Sequence, residues 1–300
     1  MAADGGEDTL LAVGRGVDAP ERPPMRFSVR HLTTYRYSAP VRLTAHALRF
    51  NPRPDAGALV SRSLKVIPGP IVREDVIDPF GNLVTKVDFE GASDIFMIDS
   101  RFELDVALPP APIGADPPAL PWLAEPGDPN AAYLRDVEID GAVRAFARKL
   151  AVESGGVPLV FLDRLNQTLY RDIRHDIRPE GAARPPEETL ALGHGACRDV
   201  TMLFLAACRS LGVPARFVSG YQARAETPDG RRHLHAWPEA LVPGLGWRAY
   251  DPTHGVDVGC GHVALCAAPD QFATMPVEGG YCGDRASSTL TYAVDIATDA

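Results

Sequence analysis

The sequence predicts an α+β protein, with a β-sandwich-like module of short strands first and then a unit in which helices precede an antiparallel sheet. Three observations carry this prediction. Residues 26–106 fall into strand-length runs rich in Val, Ile, Thr and aromatic residues, punctuated by Gly and Pro. Residues 109–129 are dense in proline and show no apolar periodicity, which reads as a linker or an extended wrap across a surface. Beyond them, apolar residues recur at helical spacing, and strand-like runs follow. Helices and strands segregated in this way are the mark of α+β architecture.

The chain is long enough, at 300 residues, for two domains with real cores. Its composition, 45% apolar and 23% charged, is that of a globular protein. The first 24 residues are acidic, broken by Gly and Pro, and lack a basic segment followed by an apolar one. They read as a disordered extension rather than a secretory signal, and Met25 offers a second start. No run approaches the roughly 18 apolar residues that cross a bilayer. A net charge of −9, with no Lys/Arg run, argues against a nucleic-acid partner.

The β module is expected over 25–108, from RFSVRHLTTYRY, LVSRSLKVIPG, REDVIDPFGNLVTKVDFEG and DIFMIDSRFELDVAL. It carries no catalytic constellation. The second unit is expected over 130–300. NAAYLRDVEIDGAVRAFARKLA spaces Leu134, Val137, Val143, Phe146 and Leu150 as a helix does, and VPLVFLDRLNQTLYRDIR offers an inner stripe of Val160, Leu165 and Leu169. RPEGAARPPEETLALGHGA reads as a loop with a short helical turn. RDVTMLFLAACRSLG is the clearest helix, with Leu203, Phe204, Ala207, Cys208 and Leu211 on one face, and Gly212 and Pro214 end it. ARFVSGYQAR, HLHAWPEALV and WRAYDPT read as strands, the last two joined by a hairpin turn at Pro243–Gly246. STLTYAVDIATD reads as a final strand.

Five cysteines, an odd number, with no signal peptide, point to reduced thiols and a cytoplasmic setting. Among them Cys197 stands apart. It follows the small residues Gly193-His194-Gly195-Ala196 at the start of the clearest helix. A helix N-terminus favours a thiolate through its free N–H groups and dipole, and the same groups can hold an oxyanion. Cys208 lies about 16 Å further along the helix axis, on the apolar face, and belongs to the core. Asp199 falls in the first turn, where a carboxylate suits the dipole.

A thiol nucleophile needs a base and the base needs an orienting group. The hairpin brings His235 opposite the stretch from Asp251 to Gly255, which makes Asp251 the candidate orienter. His233 shares the facing parity of His235, so periodicity does not choose between them.

These blocks together, Gly-Ala-Cys197-Arg-Asp, then LFLAACRSLGVPARFVSGY, then His235-Ala-Trp-Pro-Glu, then GWRAY-Asp251-PTHG, resemble the bacterial transglutaminase-like family over about residues 130–300. MRFSVRHLTTYRYSAPV, LRFNPR and DPFGN resemble the N-terminal β module that often precedes this domain. The resemblance implies a papain-like core in which a helix bearing the cysteine packs on a sheet carrying histidine and aspartate. It implies Cys197 as nucleophile, His235 rather than His233 as acid–base, and Asp251 as orienter. It also implies thiol-dependent acyl transfer on a peptide or isopeptide bond through a thioester, with hydrolysis favoured over transfer to an amine, and no cofactor. One departure is Ala196, where family members often carry Val.

Two other classes of function are open to the sequence. Cys260-Gly-His262, three residues, then Cys266, with Cys282 distant, offers sulfur and nitrogen ligands, but the spacing does not match a paired Cys-x-x-Cys ribbon, and no metal is expected. A non-catalytic binding module on the same fold is disfavoured because all three candidate residues are present.

Overall fold

The structure is a computed structural model that describes residues 24–108, 116–123, 127–134, 138–178, 180–224, 230–283 and 285–299. Residues 1–23 of the expected extension and part of the expected linker lie outside the described residues.

The β module follows the predicted runs. Strands β1 (Met25–Leu43), β2 (His46–Leu48), β3 (Ala58–Ile67), β4 (Val72–Ile77), β5 (Leu83–Asp88) and β6 (Ser93–Val106) come first. In β1, Phe27, Val29, His31 and Thr33 are buried at alternate positions, as a strand with one face on a core requires. A register shift between Arg36 and Val41 bends this long strand. β6 lies between β1 and β3, and β2 and β4 flank β5 in a second antiparallel sheet. Leu48, Phe50, Leu64, Val66, Val87, Phe96 and Ile98, from both sheets, pack into one apolar cluster, which gives the module its sandwich-like character.

The helices come next: α1 (Gly141–Glu153), α2 (Pro158–Asp172), α3 (Pro186–Leu192) and α4 (Cys197–Arg209). α1 is shorter than its sequence pattern suggested. Asp140 accepts a hydrogen bond from Ala142 N–H and caps the helix there, and only a single 3-10 turn, Ala131–Tyr133, lies in the described part of the segment before it. Val137 lies outside the described residues. In α2 the buried stripe is Phe161, Leu162, Leu165 and Leu169. Val160, expected inward, is exposed, because the face is set one residue further along. Every residue of the predicted stripe is buried, Leu211 just past the end of α4 included. The short parallel pair β7 (Arg174–His175) and β8 (His194–Gly195) ties the end of α2 to the loop before α4.

The second unit's sheet is antiparallel, in the order β12-β11-β10-β9-β13, from β9 (Ala215–Gln222), β10 (His235–Val242), β11 (Gly246–Asp251), β12 (Val256–Asp257) and β13 (His262–Ala268). The predicted hairpin joins β10 and β11, with Leu241 opposite Trp247. α4 packs across β9 and β10, and Leu203, Phe204, Ala207, Ala236 and Ala240 share one apolar cluster.

The last strands leave this unit. β14 (Val277–Glu278) pairs with β2, β15 (Tyr281–Cys282) with the end of β1, and β16 (Ser288–Asp299) runs antiparallel to β1 from Tyr37 to Arg26. The strand expected to close the 130–300 unit therefore completes a sheet of the β module. The physical reason is the second edge of β1, which β16 pairs and covers. Val294 and Ile296 then join Phe27, Val29 and Leu104 against Tyr221, Val263 and Leu265 of the other sheet, so one core spans both units.

Candidate active site

The thiol end of the site is built from the loop before α4. Gly193 adopts φ +66°, a left-handed conformation that closes α3 and turns the chain into β8. Ala196 is extended at the N-cap and cannot cap with its own side chain. Asp199 caps instead, from the third helical position. Its Oδ2 accepts Ala196 N–H at 2.8 Å, and its Oδ1 accepts Arg184 N–H at 2.8 Å and Arg178 Nη2 at 2.6 Å. Asp199 is completely buried. Gly195 is required beside it, since a Cβ there would lie 2.9 Å from Asp199 Cβ. Arg198 Nη2 donates to Glu180 C=O at 2.6 Å, so the loop from Arg178 to Arg184 is strapped to the first turn of α4. Cys197 opens that turn, 8% exposed.

The histidine end of the candidate site is built on the sheet. His235 opens β10 and Asp251 ends β11, and both are buried. His235 Nε2 donates to Asp251 Oδ2 at 3.0 Å. This donation fixes the neutral tautomer whose basic nitrogen is Nδ1. His233, which the strand parity left in play, turns instead to Tyr292 Oη at 2.9 Å on the surface. Thr253 N–H donates to Asp251 Oδ1 at 3.0 Å.

Two further histidines reach the same carboxylate. His254 Nδ1 lies 2.9 Å and His262 Nε2 3.0 Å from Asp251 Oδ2. Burial alone would push the Asp251 carboxyl up, but the charge of His235 and hydrogen bonds from His235, His254 and His262 hold it far below the usual carboxylate range. Burial lowers His262, against the pull of Asp251. Trp237 packs against His235 and, edge to face, against His262, with ring centroids 6.0 and 5.3 Å apart. Gly220, opposite His235 on β9, makes room for Trp237 and for β13. A Cβ there would meet Trp237 Cη2 at 2.6 Å and Val263 C=O at 2.1 Å.

Sequence reasoning missed the part played by His254 and His262. His254 follows Asp251 by three residues through a turn, which was the available signal. The sequence groups His262 only with Cys260 and Cys266, as a ligand run. That run does not assemble: Cys266 is buried, its thiol pushed up to about 12, with Sγ against Ala273 C=O. Among the described residues, the grouping of three or more metal-competent side chains is His235, Asp251 and His262.

Comparison with known proteins agrees with this architecture. Residues 145–252 match the transglutaminase-like superfamily, and residues 27–105 match the bacterial transglutaminase-like N-terminal region. An uncharacterized protein of Mycobacterium bovis is 27% identical over 290 residues, covering 90% of this chain and 92% of that protein. An uncharacterized protein of Mycobacterium leprae is 34% identical over 108 residues, 37% of its length. A solved structure from Cytophaga hutchinsonii, provisionally assigned as a cysteine protease, superposes with a TM-score of 0.68 at 20% identity, covering 93% of this chain and 92% of that one. The chain belongs to the transglutaminase-like superfamily, with the bacterial N-terminal region ahead of its core. Membership supports an enzyme of thiol-dependent acyl transfer.

Proposed function

We propose that the protein hydrolyses an amide bond of a peptide or protein, with Cys197 as nucleophile, His235 as acid and base, and Asp251 as orienter. One observation carries this reading. A buried carboxylate holds His235 by its Nε2–H on the strand that α4 packs across, and α4 begins at Cys197. Cys197 gives its proton to His235 Nδ1, and the sulfur adds to the amide carbon. N–H groups at the start of α4 stabilise the oxyanion. The imidazolium protonates the leaving amine as the C–N bond breaks, which leaves a thioester. His235 then takes a proton from water, the hydroxide adds to the acyl carbon, and the thiolate departs. Water as acceptor makes the protein a peptidase or amidase, and an amine would make it a transglutaminase. Asp251, held far below the usual carboxylate range by its histidine partners, keeps the imidazolium favourable.

The five cysteines are free thiols, which fits a reducing compartment, and we place the protein in the cytoplasm on that ground. The test is intact-protein mass spectrometry after exposure to a peptide panel, with turnover measured in parallel. An acyl adduct on Cys197, absent from Cys197→Ser, with turnover lost in His235→Ala, is the expected result. Turnover that survives in Cys197→Ser overturns the reading. Incorporation of added amine into a glutamine peptide in place of hydrolysis moves the assignment to transamidation.

A further inference from the structure

We infer that His235, His254, His262 and Asp251 bind a single transition-metal ion of the zinc class, and that its binding switches off the reaction proposed above. The switching clause rests on that reading, whereas the metal site rests on geometry alone.

Three imidazole nitrogens converge on one oxygen. Asp251 Oδ2 lies 3.0 Å from His235 Nε2, 2.9 Å from His254 Nδ1 and 3.0 Å from His262 Nε2. Asp251 Oδ1, by contrast, receives the single backbone N–H of Thr253. A carboxylate oxygen offers about two lone-pair directions, so three donors crowd it. A cation among the four atoms relieves the crowding. Tetrahedral zinc, with bonds of about 2.0–2.1 Å, separates its ligand atoms by roughly 3.3 Å. The observed spacings from oxygen to nitrogen need to open by a few tenths of an ångström, and the nitrogens need to draw together. The ligand atoms of His235, Asp251 and His262 lie within 4.8 Å of one another, and His254, outside that grouping, joins through its contact with Asp251 Oδ2. Three imidazoles and a carboxylate suit zinc, copper or nickel, and suit magnesium or calcium poorly. The carboxylate, anionic and buried, supplies the charge that a buried dication requires.

The rings can make the exchange without losing a proton to solvent. A neutral imidazole bound to metal through one nitrogen carries its proton on the other. The Nδ1 of His262 is buried and has no hydrogen-bond partner among the described residues, so a change of tautomer at that ring breaks no bond other than the one to Asp251. His254, 17% exposed on the turn after β11, gives the ion a way in. At His235 the same exchange has a chemical consequence. Metal on Nε2 moves the proton to Nδ1, and Nδ1 is the nitrogen that must accept the thiol proton. The bound ion removes the base.

The experiment uses the full chain carrying Cys197→Ser, titrated with Zn²⁺ by calorimetry and with Co²⁺ by visible absorption. Expected are one ion per chain, the intense visible bands of four-coordinate cobalt, and no thiolate charge-transfer band in the near ultraviolet. His262→Gln and His254→Gln, each made in that background, should weaken binding by about a hundredfold. His254 is part-exposed, so its variant keeps the test open should His262→Gln fail to fold. Loss of binding in Cys197→Ser would place the metal on the thiol, and unchanged affinity in both histidine variants would remove the site; either result overturns the inference. The readout is metal binding and not turnover, so it stands apart from the test of hydrolysis. In the unsubstituted chain, peptide turnover should fall with Zn²⁺ occupancy and return with EDTA, and turnover that persists at full occupancy overturns the switch.

Discussion

The first turn of α4 and its last are built on opposite principles, although a single helix carries both. At the start, Cys197 sits on a turn held by polar contacts: Asp199 accepts from Ala196 N–H, Arg184 N–H and Arg178, and Arg198 ties down Glu180. In the last turn, eleven residues on, Cys208 is wholly buried among Leu203, Phe204 and Ala207, and burial pushes its thiol far above the usual range. The helix supplies the axis and the apolar grip on the sheet. The loop supplies the polar cap. One thiol is presented by a cap and the other is inert filling, and which is which depends on a few neighbours rather than on the residue type.

The sharpest way to break that contrast is to exchange the roles. Cys197→Ser should reduce peptide turnover by a thousandfold or more, an order typical of a lost nucleophile, with little change in melting temperature. Cys197→Ser activity near that of the unsubstituted protein in a steady-state assay would sink the contrast. A step down in effect comes Asp199→Ala. It leaves Ala196 N–H and Arg184 N–H without their acceptor and strands Arg178 beside a buried hole. We expect a stability loss of about 3 kcal/mol by urea unfolding, from the cap and the broken ion pair together. Turnover per folded molecule should fall as well, because the Cys197 turn is released. A variant that unfolds more easily but turns over normally when folded would show that Asp199 holds the helix without presenting the thiol.

Cys208→Ser is the reciprocal change and is smaller. It buries a hydroxyl with no room for water, at a cost of about 2 kcal/mol in unfolding free energy. Activity per folded molecule should be unaltered. Reduced turnover with intact folding would mean that the core of α4 and its first turn are coupled.

The two regions were unequally legible in the sequence. Cys197 could be read because Gly193, Gly195 and Ala196 precede a helix with an unbroken apolar face, and a local pattern of that kind survives into the fold. The stretch from Asp251 to Gly255 could be read as opposite His235 because a short turn fixes the register of a hairpin. Strand parity left His233 and His235 equivalent. The structure separates them by what lies beyond the strand: Tyr292 of β16 takes His233, and Asp251 takes His235. The convergence of His254 and His262 was hidden for a related reason. One arrives through a turn and the other on β13, which β10 and β9 separate from β11, so no strand pairing announces the meeting. The pairing of β16 with β1 was hidden more deeply, since nothing local in STLTYAVDIATD names a partner some 250 residues away.

The smallest effect, and the finest probe of the first turn, is Gly195→Ala. The new Cβ would stand 2.9 Å from Asp199 Cβ, 3.2 Å from its Oδ2 and 3.3 Å from Thr189 Cγ2. None of these is the end of a flexible chain, and Asp199 is held by three hydrogen bonds, so the crowding has to be met by a shift of the loop or of the cap. We expect about 1–2 kcal/mol of destabilisation from overpacking. The shift moves Ala196 and therefore Cys197, so iodoacetamide should label the variant at a rate different from that of the unsubstituted protein, whereas Cys208→Ser should leave the labelling rate of Cys197 where it was. Equal rates in all three proteins would show that the loop yields without moving the thiol, and the contrast between the cap and the core would then lie in burial alone.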